Sequence, residues 1–312
     1  MLPGILVCFA VFESTYAIVS ESFQDCRQFF YQRKPPQVFT RMATEKYLCE
    51  IYNGRPYFAT FYDTLRKIPV YSAYKVEHFH RPNNEEGKRK WRKGEGLQTK
   101  DQPFLINYNG VQLHNLNRGH LAPRFYFPTN EGRTATDVLT NIAPQYALFN
   151  QLTWFSLEKY IYEASKHHCN YYGGTSYFVT GVLPSDNVPL NGKINIPSHF
   201  WTAVCCDTSS VSNLNNRLKG WSFAYIGENQ NTRNNFIEFF TVKDFMMIRG
   251  IRGKFFELFQ DIISFDYHTM KSRIVHKCLF DSDKADQIIA GIVIDINHDR
   301  FHYNGQAPEF LL

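Results

Sequence analysis

The chain has 312 residues, a formal net charge of +5, 44% hydrophobic residues and 16% aromatic residues. That share of apolar and aromatic side chains excludes an intrinsically disordered chain, and the length is enough for one large domain with a substantial core. Mild basicity suits a polyanionic partner without demanding one, and the lack of repeats and low-complexity tracts excludes solenoids and linker arrays.

From the N-terminus, Leu2-Pro3-Gly4-Ile5-Leu6-Val7-Cys8-Phe9-Ala10-Val11-Phe12 is an apolar run ended by Glu13. It is too short to span a bilayer, so residues 1–20 read as a secretory signal peptide cleaved near Ala17 or Ser20, against an uncleaved anchor or a buried strand. No later stretch approaches ~18 consecutive apolar residues. Residues 21–312 are therefore expected to form a single secreted domain with no stable membrane association. Of the seven cysteines, Cys8 falls in the leader, which leaves Cys26, Cys49, Cys169, Cys205, Cys206 and Cys278. An even set in a chain bound for an oxidising compartment reads as disulfides. Cys26 with Cys49 is the favoured pair, because it closes a short N-terminal loop with little core of its own. Cys205 and Cys206 do not suit a bond to each other, since neighbours on a strand point to opposite faces. No Cys-x-x-Cys pair points to zinc, and no Asn-x-Ser/Thr sequon is present.

Phe29-Phe30-Tyr31 reads as a buried anchor. Residues 58–63 and 68–76 are strand-like, joined by a turn at residues 64–67 that carries Arg66. Residues 83–100 are polar and charged. Within them Lys88-Arg89-Lys90-Trp91-Arg92-Lys93 sets five cations around one indole, able to neutralise phosphates and stack on a base, or else simply a solvated loop. Residues 111–116 suit an exposed strand. From Tyr146 onward, Phe149, Leu152, Phe155 and Tyr160 recur at helical spacing to about residue 166, and residues 170–174 break the helix. Strands are expected at residues 177–183, 194–206 and 221–226, with a Ser/Asn-rich loop at residues 208–216. The expected fold class is α+β, a central antiparallel sheet flanked by helices. Residues 241–260 are helical in tendency, weakened by Gly250 and Gly253. Residues 281–290 read as a short helix and residues 291–296 as a strand. His298 and His302 beside Asp299 read as a surface turn rather than a metal site.

Three blocks carry chemistry: Asn117-Arg118-Gly119-His120-Leu121-Ala122-Pro123, Asn141-Ile142-Ala143-Pro144-Gln145, and the stretch from Asn150 to Glu158. Read as strand, loop and helix, they let His120 leave the end of a strand and Asn150 come off the first helical turns, so that an imidazole and a carboxamide face one cavity. Glu158 follows about two turns later at ~3.6 residues per turn. A neutral imidazole is suited to deprotonating water near neutral pH. A carboxamide oxygen can hold a hard cation such as magnesium and leave its remaining positions to water and phosphate. Arg118 can grip a phosphate in forked geometry, and Glu158 can order metal-bound water.

The step of thirty residues from His120 to Asn150, the Asn-Ile-Ala-Pro-Gln block and Glu158 together resemble the non-specific DNA/RNA endonucleases of the beta-beta-alpha-metal (His-Me finger) superfamily. Their signature is Asp-Arg-Gly-His followed by a helix that carries an Asn; here Asn117 stands in the Asp position. Phe58-Ala59-Thr60-Phe61-Tyr62-Asp63 and Arg66-Lys67-Ile68-Pro69-Val70-Tyr71-Ser72-Ala73-Tyr74 are similar to the eukaryotic branch called endonuclease domain-containing 1 proteins. So are Phe178-Val179-Thr180-Gly181 and Ile196-Pro197-Ser198-His199-Phe200-Trp201-Thr202-Ala203. The resemblance covers most of residues 22–260 and leaves residues 261–312 as a divergent C-terminal extension. It implies a beta-beta-alpha-metal motif with His120 as general base, Asn150 as ligand to Mg2+ (or Mn2+) and Glu158 in the metal's shell. It also implies Arg118 and Arg66 as phosphate contacts, Asn141 in the substrate-binding set, and DNA, with RNA second, as substrate. The alternative is a nuclease-fold protein with little or no turnover that binds nucleic acid or a protein partner.

Overall fold

Alternating apolar positions between turn signals build the centre of the molecule. The structure, a computed structural model, describes residues 18–39, 41–77, 89–109, 114–187, 189–217, 219–233, 235–252, 254–259, 263–266, 271–274, 278 and 283–302. In chain order the first strands are β1 (Ile18–Ser20), β2 (Gln37–Val38), β3 (Glu45–Tyr52), β4 (Arg55–Asp63) and β5 (Ile68–Val76). Next come β6 (Leu116–His120), α1 (Asn130–Thr136), β7 (Ile142–Tyr146), a π-helical turn (Phe149–Trp154) and α2 (Phe155–His168). The second half contains β8 (Thr175–Leu183), β9 (His199–Asp207), α3 (Leu214–Arg217), β10 (Trp221–Glu228) and β11 (Ile237–Phe240). It closes with α4 (Val242–Phe245), α5 (Arg249–Arg252), β12 (Phe255–Glu257), β13 (Ile263–Asp266), β14 (Lys271–Ile274) and α6 (Asp283–His302).

Eight of these strands form one sheet in the order β1-β3-β4-β5-β8-β9-β10-β11, antiparallel throughout. The fold is α+β, as expected. Asn53 and Gly54, both at positive φ, join β3 to β4 in a two-residue turn whose twist matches the hairpin. Both faces of the sheet are apolar, so each needs a cover. One face presents Phe58, Tyr74, Phe178, Phe200, Val204 and Tyr225 to the β6–β7 pair, α2 and α6. The other presents Phe61, Tyr71, Trp201 and Ala224 to the Phe23–Tyr31 segment and to α4 and α5. The Phe29-Phe30-Tyr31 anchor is buried on that second face. Gly181 on β8 allows the Trp201 ring to lie directly against the backbone, where a Cβ would collide with the indole and with the Val70 carbonyl.

Three disulfides join Cys26 to Cys49, Cys169 to Cys206 and Cys205 to Cys278. The Cys26–Cys49 expectation holds. Cys205 and Cys206, adjacent on β9, point to opposite faces: one secures the end of α2, the other the C-terminal segment.

Several expectations are corrected. Residues 241–260 are two short helices and strand β12, which pairs with β2, rather than one helix. Of the stretch expected as a helix and a strand, residues 283–296 lie in a single helix, α6, and residues 281 and 282 lie outside the described residues. Ala285, Ile288 and Ile292 recur at helical spacing and sit in the core, and this outweighs the strand preference of the β-branched run. The strand expected to begin at residue 194 begins at His199. The apolar core of the expected leader lies outside the described residues. Ile18–Ser20 pair with Cys49, Leu48 and Tyr47 as the edge strand, so cleavage after Ala17 keeps this strand and cleavage after Ser20 removes it. Among the described residues no helix is long and apolar enough to cross a membrane.

Replacing Cys169 and Cys206 together by serine frees the end of α2 from β9. The loss expected in chemical denaturation is about 2–4 kcal/mol; an unchanged midpoint would show that the bond closes nothing the fold does not already hold.

Candidate active site

The Arg118-Gly119-His120 motif is itself strand. β6 and β7 pair antiparallel, with His120 opposite Ile142, Gly119 opposite Ala143 and Asn117 opposite Gln145. The block Asn141 to Gln145, expected as a loop, thus supplies the second strand, and the chain turns from Tyr146 into a helix within one residue. This is a strand–strand–helix unit. Glycine is needed at 119 because a Cβ there would collide with the Gln145 side chain.

Alternation along β6 puts Arg118 and His120 on one face. The His120 ring is mostly buried, at 15% exposed, and its Nε2 lies 3.1 Å from Asp137 Oδ1. The second oxygen of Asp137 accepts from Arg124 Nε at 3.3 Å. Trp91 packs on the other side of this group. Its indole stacks on the imidazole with ring centroids 5.1 Å apart, and the Arg118 guanidinium lies 4.9 Å from the indole centroid. Burial lowers the Arg118 pKa from its ordinary value.

The basic run therefore works differently from the sequence expectation. Trp91 is occupied by His120 and Arg118 rather than open to stack on a base. Arg92 turns inward, donates to the Thr134 and Ala135 carbonyls at 2.7 and 3.1 Å, and covers the Tyr52 ring. Its backbone bridges residues 137–139, accepting from Leu139 N and donating to Asp137 O. Arg89, Lys90 and Lys93 are exposed, and Lys88 lies outside the described residues.

Asn141 is fully buried and cannot contact substrate. Its Oδ1 accepts from Ala122 N and Ser72 Oγ, both at 2.9 Å, and its Nδ2 donates to Ala122 O and Thr136 O, both at 3.1 Å. A carboxamide has two donors and two acceptor positions, and all four are used. The Asn141 side chain instead ties β5 to the Ala122 and Thr136 backbone. Arg66 sits at the β4–β5 turn, pairs with Asp63 at 2.9 Å and leaves about a third of its side chain exposed.

Asn150 lies in the π-helical turn before α2 and is half-buried. Its side chain makes no hydrogen bond to another described residue. In a continuous α-helix, eight residues overshoot two turns by ~80°. A π turn inserts one extra residue, which brings positions 150 and 158 to within ~20° of one line. Glu158 is buried. Burial pushes its carboxyl well above the ordinary range, opposed by the Trp154 indole; burial likewise raises the hydroxyls of Tyr74, Tyr126 and Tyr225, with a smaller push from Glu158. No cation pairs with it among the described residues. No hydrogen bond, ion pair or ring contact among the described residues joins Asn150 or Glu158 to His120.

The donor set fits a hard divalent ion: a carboxamide oxygen on Asn150 that is unengaged among the described residues and, within ~20° of its helical line, a buried carboxyl that no described cation balances. Among the described residues no three His, Cys, Asp or Glu side chains cluster as a metal cage.

Sequence reasoning missed Asp137, Arg124 and the packing role of Trp91. The first two belong to no motif, and the only signal for Asp137 is an acid set between Thr136 and Val138, in a segment of otherwise small and apolar side chains.

A sequence profile described as DNA/RNA non-specific endonuclease matches residues 38–256. The mouse endonuclease domain-containing 1 protein is 26% identical over 252 residues, covering 73% of this chain and 46% of that protein. A Nostoc protein named nuclease is 36% identical over 98 residues, 31% of this chain and 34% of that protein. This chain thus spans about half the length of the mouse relative and a third of the bacterial one. A solved EndoG/EndoGI complex overlaps 58% of this chain and 75% of that one at 17% identity and a TM-score of 0.45.

Replacing Glu158 by glutamine tests the electrostatics of its site. Because burial raises this carboxyl above its unfolded range, the folded state holds the proton more tightly, and stability falls as pH rises above ~4.3, the unfolded value. In chelator, the melting temperature of E158Q should therefore gain on the parent from pH 4 to 8. Parallel curves would show that the carboxyl is not burdened by burial.

Proposed function

The chain belongs to the DNA/RNA non-specific endonuclease family, and from that premise we propose that it is a secreted, divalent-metal-dependent endonuclease that hydrolyses phosphodiester bonds of DNA and, as a second substrate, RNA. The observation that carries this reading is the hold on His120. It ends a strand of the strand–strand–helix unit, and Asp137 and Trp91 fix its ring. Three disulfides support an oxidising compartment. Little sequence preference follows from contacts that address phosphate rather than base edges.

In this reading His120 accepts the proton of the attacking water. Arg118, half-buried against the Trp91 indole that also stacks on His120, orients a phosphate oxygen, and Arg66 supplies a second positive charge from the β4–β5 turn. Asn150 would hold Mg2+ or Mn2+, with Glu158 behind it. When bound, the ion supplies positive charge against the leaving 3′ oxygen. Asn117, in the family's Asp position, favours the second reading, a protein of the same fold that binds nucleic acid or a protein partner without turnover. Plasmid cleavage by purified, disulfide-bonded protein in magnesium, absent in chelator, decides between the two.

His120→Ala should lower the cleavage rate by ~10²-fold or more, the usual cost of removing a general base. A parental rate in this variant would remove His120 from the mechanism. Asn150→Ala should shift the magnesium titration to higher concentration, and an unmoved titration rejects Asn150 as the ligand.

A further inference from the structure

We propose that Asp137 is the positioning residue of the His120 base: its carboxylate takes the Nε2–H of the imidazole and so leaves Nδ1 as the proton acceptor. The inference rests on the nuclease reading above and adds a residue that no motif contains.

The geometry is specific. Nε2 and Asp137 Oδ1 are 3.1 Å apart, and Asp137 is only 2% exposed at its side chain. Its other oxygen is held by Arg124 Nε at 3.3 Å. A buried carboxylate must find partners, and among the described residues its side chain has these two. Arg124 balances its charge, which leaves Oδ1 to receive the imidazole N–H. The acid itself cannot drift. Its backbone carbonyl accepts from Arg92 N at 3.0 Å, its N–H donates to Thr134 O at 3.2 Å, and the neighbouring Thr136 carbonyl is tied to Asn141. Trp91 presses on the face of the ring, so rotation away from Asp137 would break the stack. The charged groups around the imidazole are therefore Asp137 and Arg124 at its Nε2 side, Arg118 across the indole, and Arg92 behind the Asp137 backbone.

The chemistry balances. A water O–H bond breaks as Nδ1–H forms, and the water oxygen bonds to phosphorus. The P–O3′ bond breaks with its electron pair on the 3′ oxygen, which is protonated from solvent. The Nε2–H stays in place throughout, and the imidazolium that forms faces an ionised carboxylate. This is the role an aspartate plays behind the histidine of a serine protease triad.

Asp137→Asn separates positioning from mere packing. Arg124 holds the carboxamide oxygen, so the amide N–H points at Nε2 and forces the proton onto Nδ1, where it blocks the base. The experiment is 15N NMR of histidine-labelled, magnesium-free protein, with the His120 signals identified by their loss in His120→Ala, alongside steady-state cleavage. The expected result is an Nε2–H tautomer in the parent and an Nδ1–H tautomer in D137N. With it should come a fall in kcat of about 10²–10⁴-fold, little change in KM, and partial recovery in Asp137→Glu. A parent that carries the proton on Nδ1 overturns the proposal without any variant, as does a D137N protein with parental kcat. If the parent shows no magnesium-dependent cleavage, the nuclease reading fails, while the tautomers still decide what Asp137 does to the ring.

Discussion

One buried carboxamide sets the geometry on which the rest depends. Asn141 uses its oxygen on the Ala122 N–H and the Ser72 hydroxyl, and its nitrogen on the Ala122 and Thr136 carbonyls. Ser72 belongs to the central sheet, Ala122 follows His120 by two residues, and Thr136 precedes Asp137. A single side chain therefore ties the strand end that carries His120, the acid that faces it and the sheet beneath them. In a buried setting each of these bonds is strong, and leaving a partner unpaired costs roughly 1–3 kcal/mol. Loss of the carboxamide would act on His120 without touching it.

A second set of buried polar groups supports the first. Glu50 on β3 accepts from the Thr140 hydroxyl at 2.6 Å. Burial raises its carboxyl above the ordinary range, opposed by the Thr140 and Thr60 hydroxyls and by Arg92. Arg92 in turn reaches the carbonyls of Thr134 and Ala135. The segment from Thr134 to Asn141, which runs from the end of α1 through a short 3-10 turn, is thus also held from both sides by charge-assisted bonds. Such networks are costly to bury and do their best service in fixing one arrangement. Here the arrangement fixed is the one that aims Asp137 at the imidazole.

Much of this could be read from the sequence, and what could not has identifiable causes. Strands β4, β5, β8 and β10 carry dense aromatic and β-branched residues between turn residues, and each lies close to where its pattern puts it. The His120 and Asn150 blocks were legible because three coupled features recur at family spacing. Strand β7 was hidden by Pro144 and by its brevity. Helix α6 was hidden because Ile292, Val293, Ile294 and Ile296 look like a strand locally, and only the spacing of Ala285, Ile288 and Ile292 against α2 shows the helix. Asn141 was misassigned as a substrate contact because a polar residue in a motif looks functional, whereas its work is internal. Asp137 and Trp91 meet His120 from segments 17 and 29 residues away along the chain, a pairing no local pattern records.

The most direct measurement is a crystal structure with Mg2+ and a short duplex whose scissile phosphate resists hydrolysis. The predicted result is an ion about 2.0–2.1 Å from Asn150 Oδ1, with a water between the phosphorus and His120, about 3 Å from Nδ1. An ion bound elsewhere, or a duplex lying on a face of the molecule that excludes His120, would contradict it.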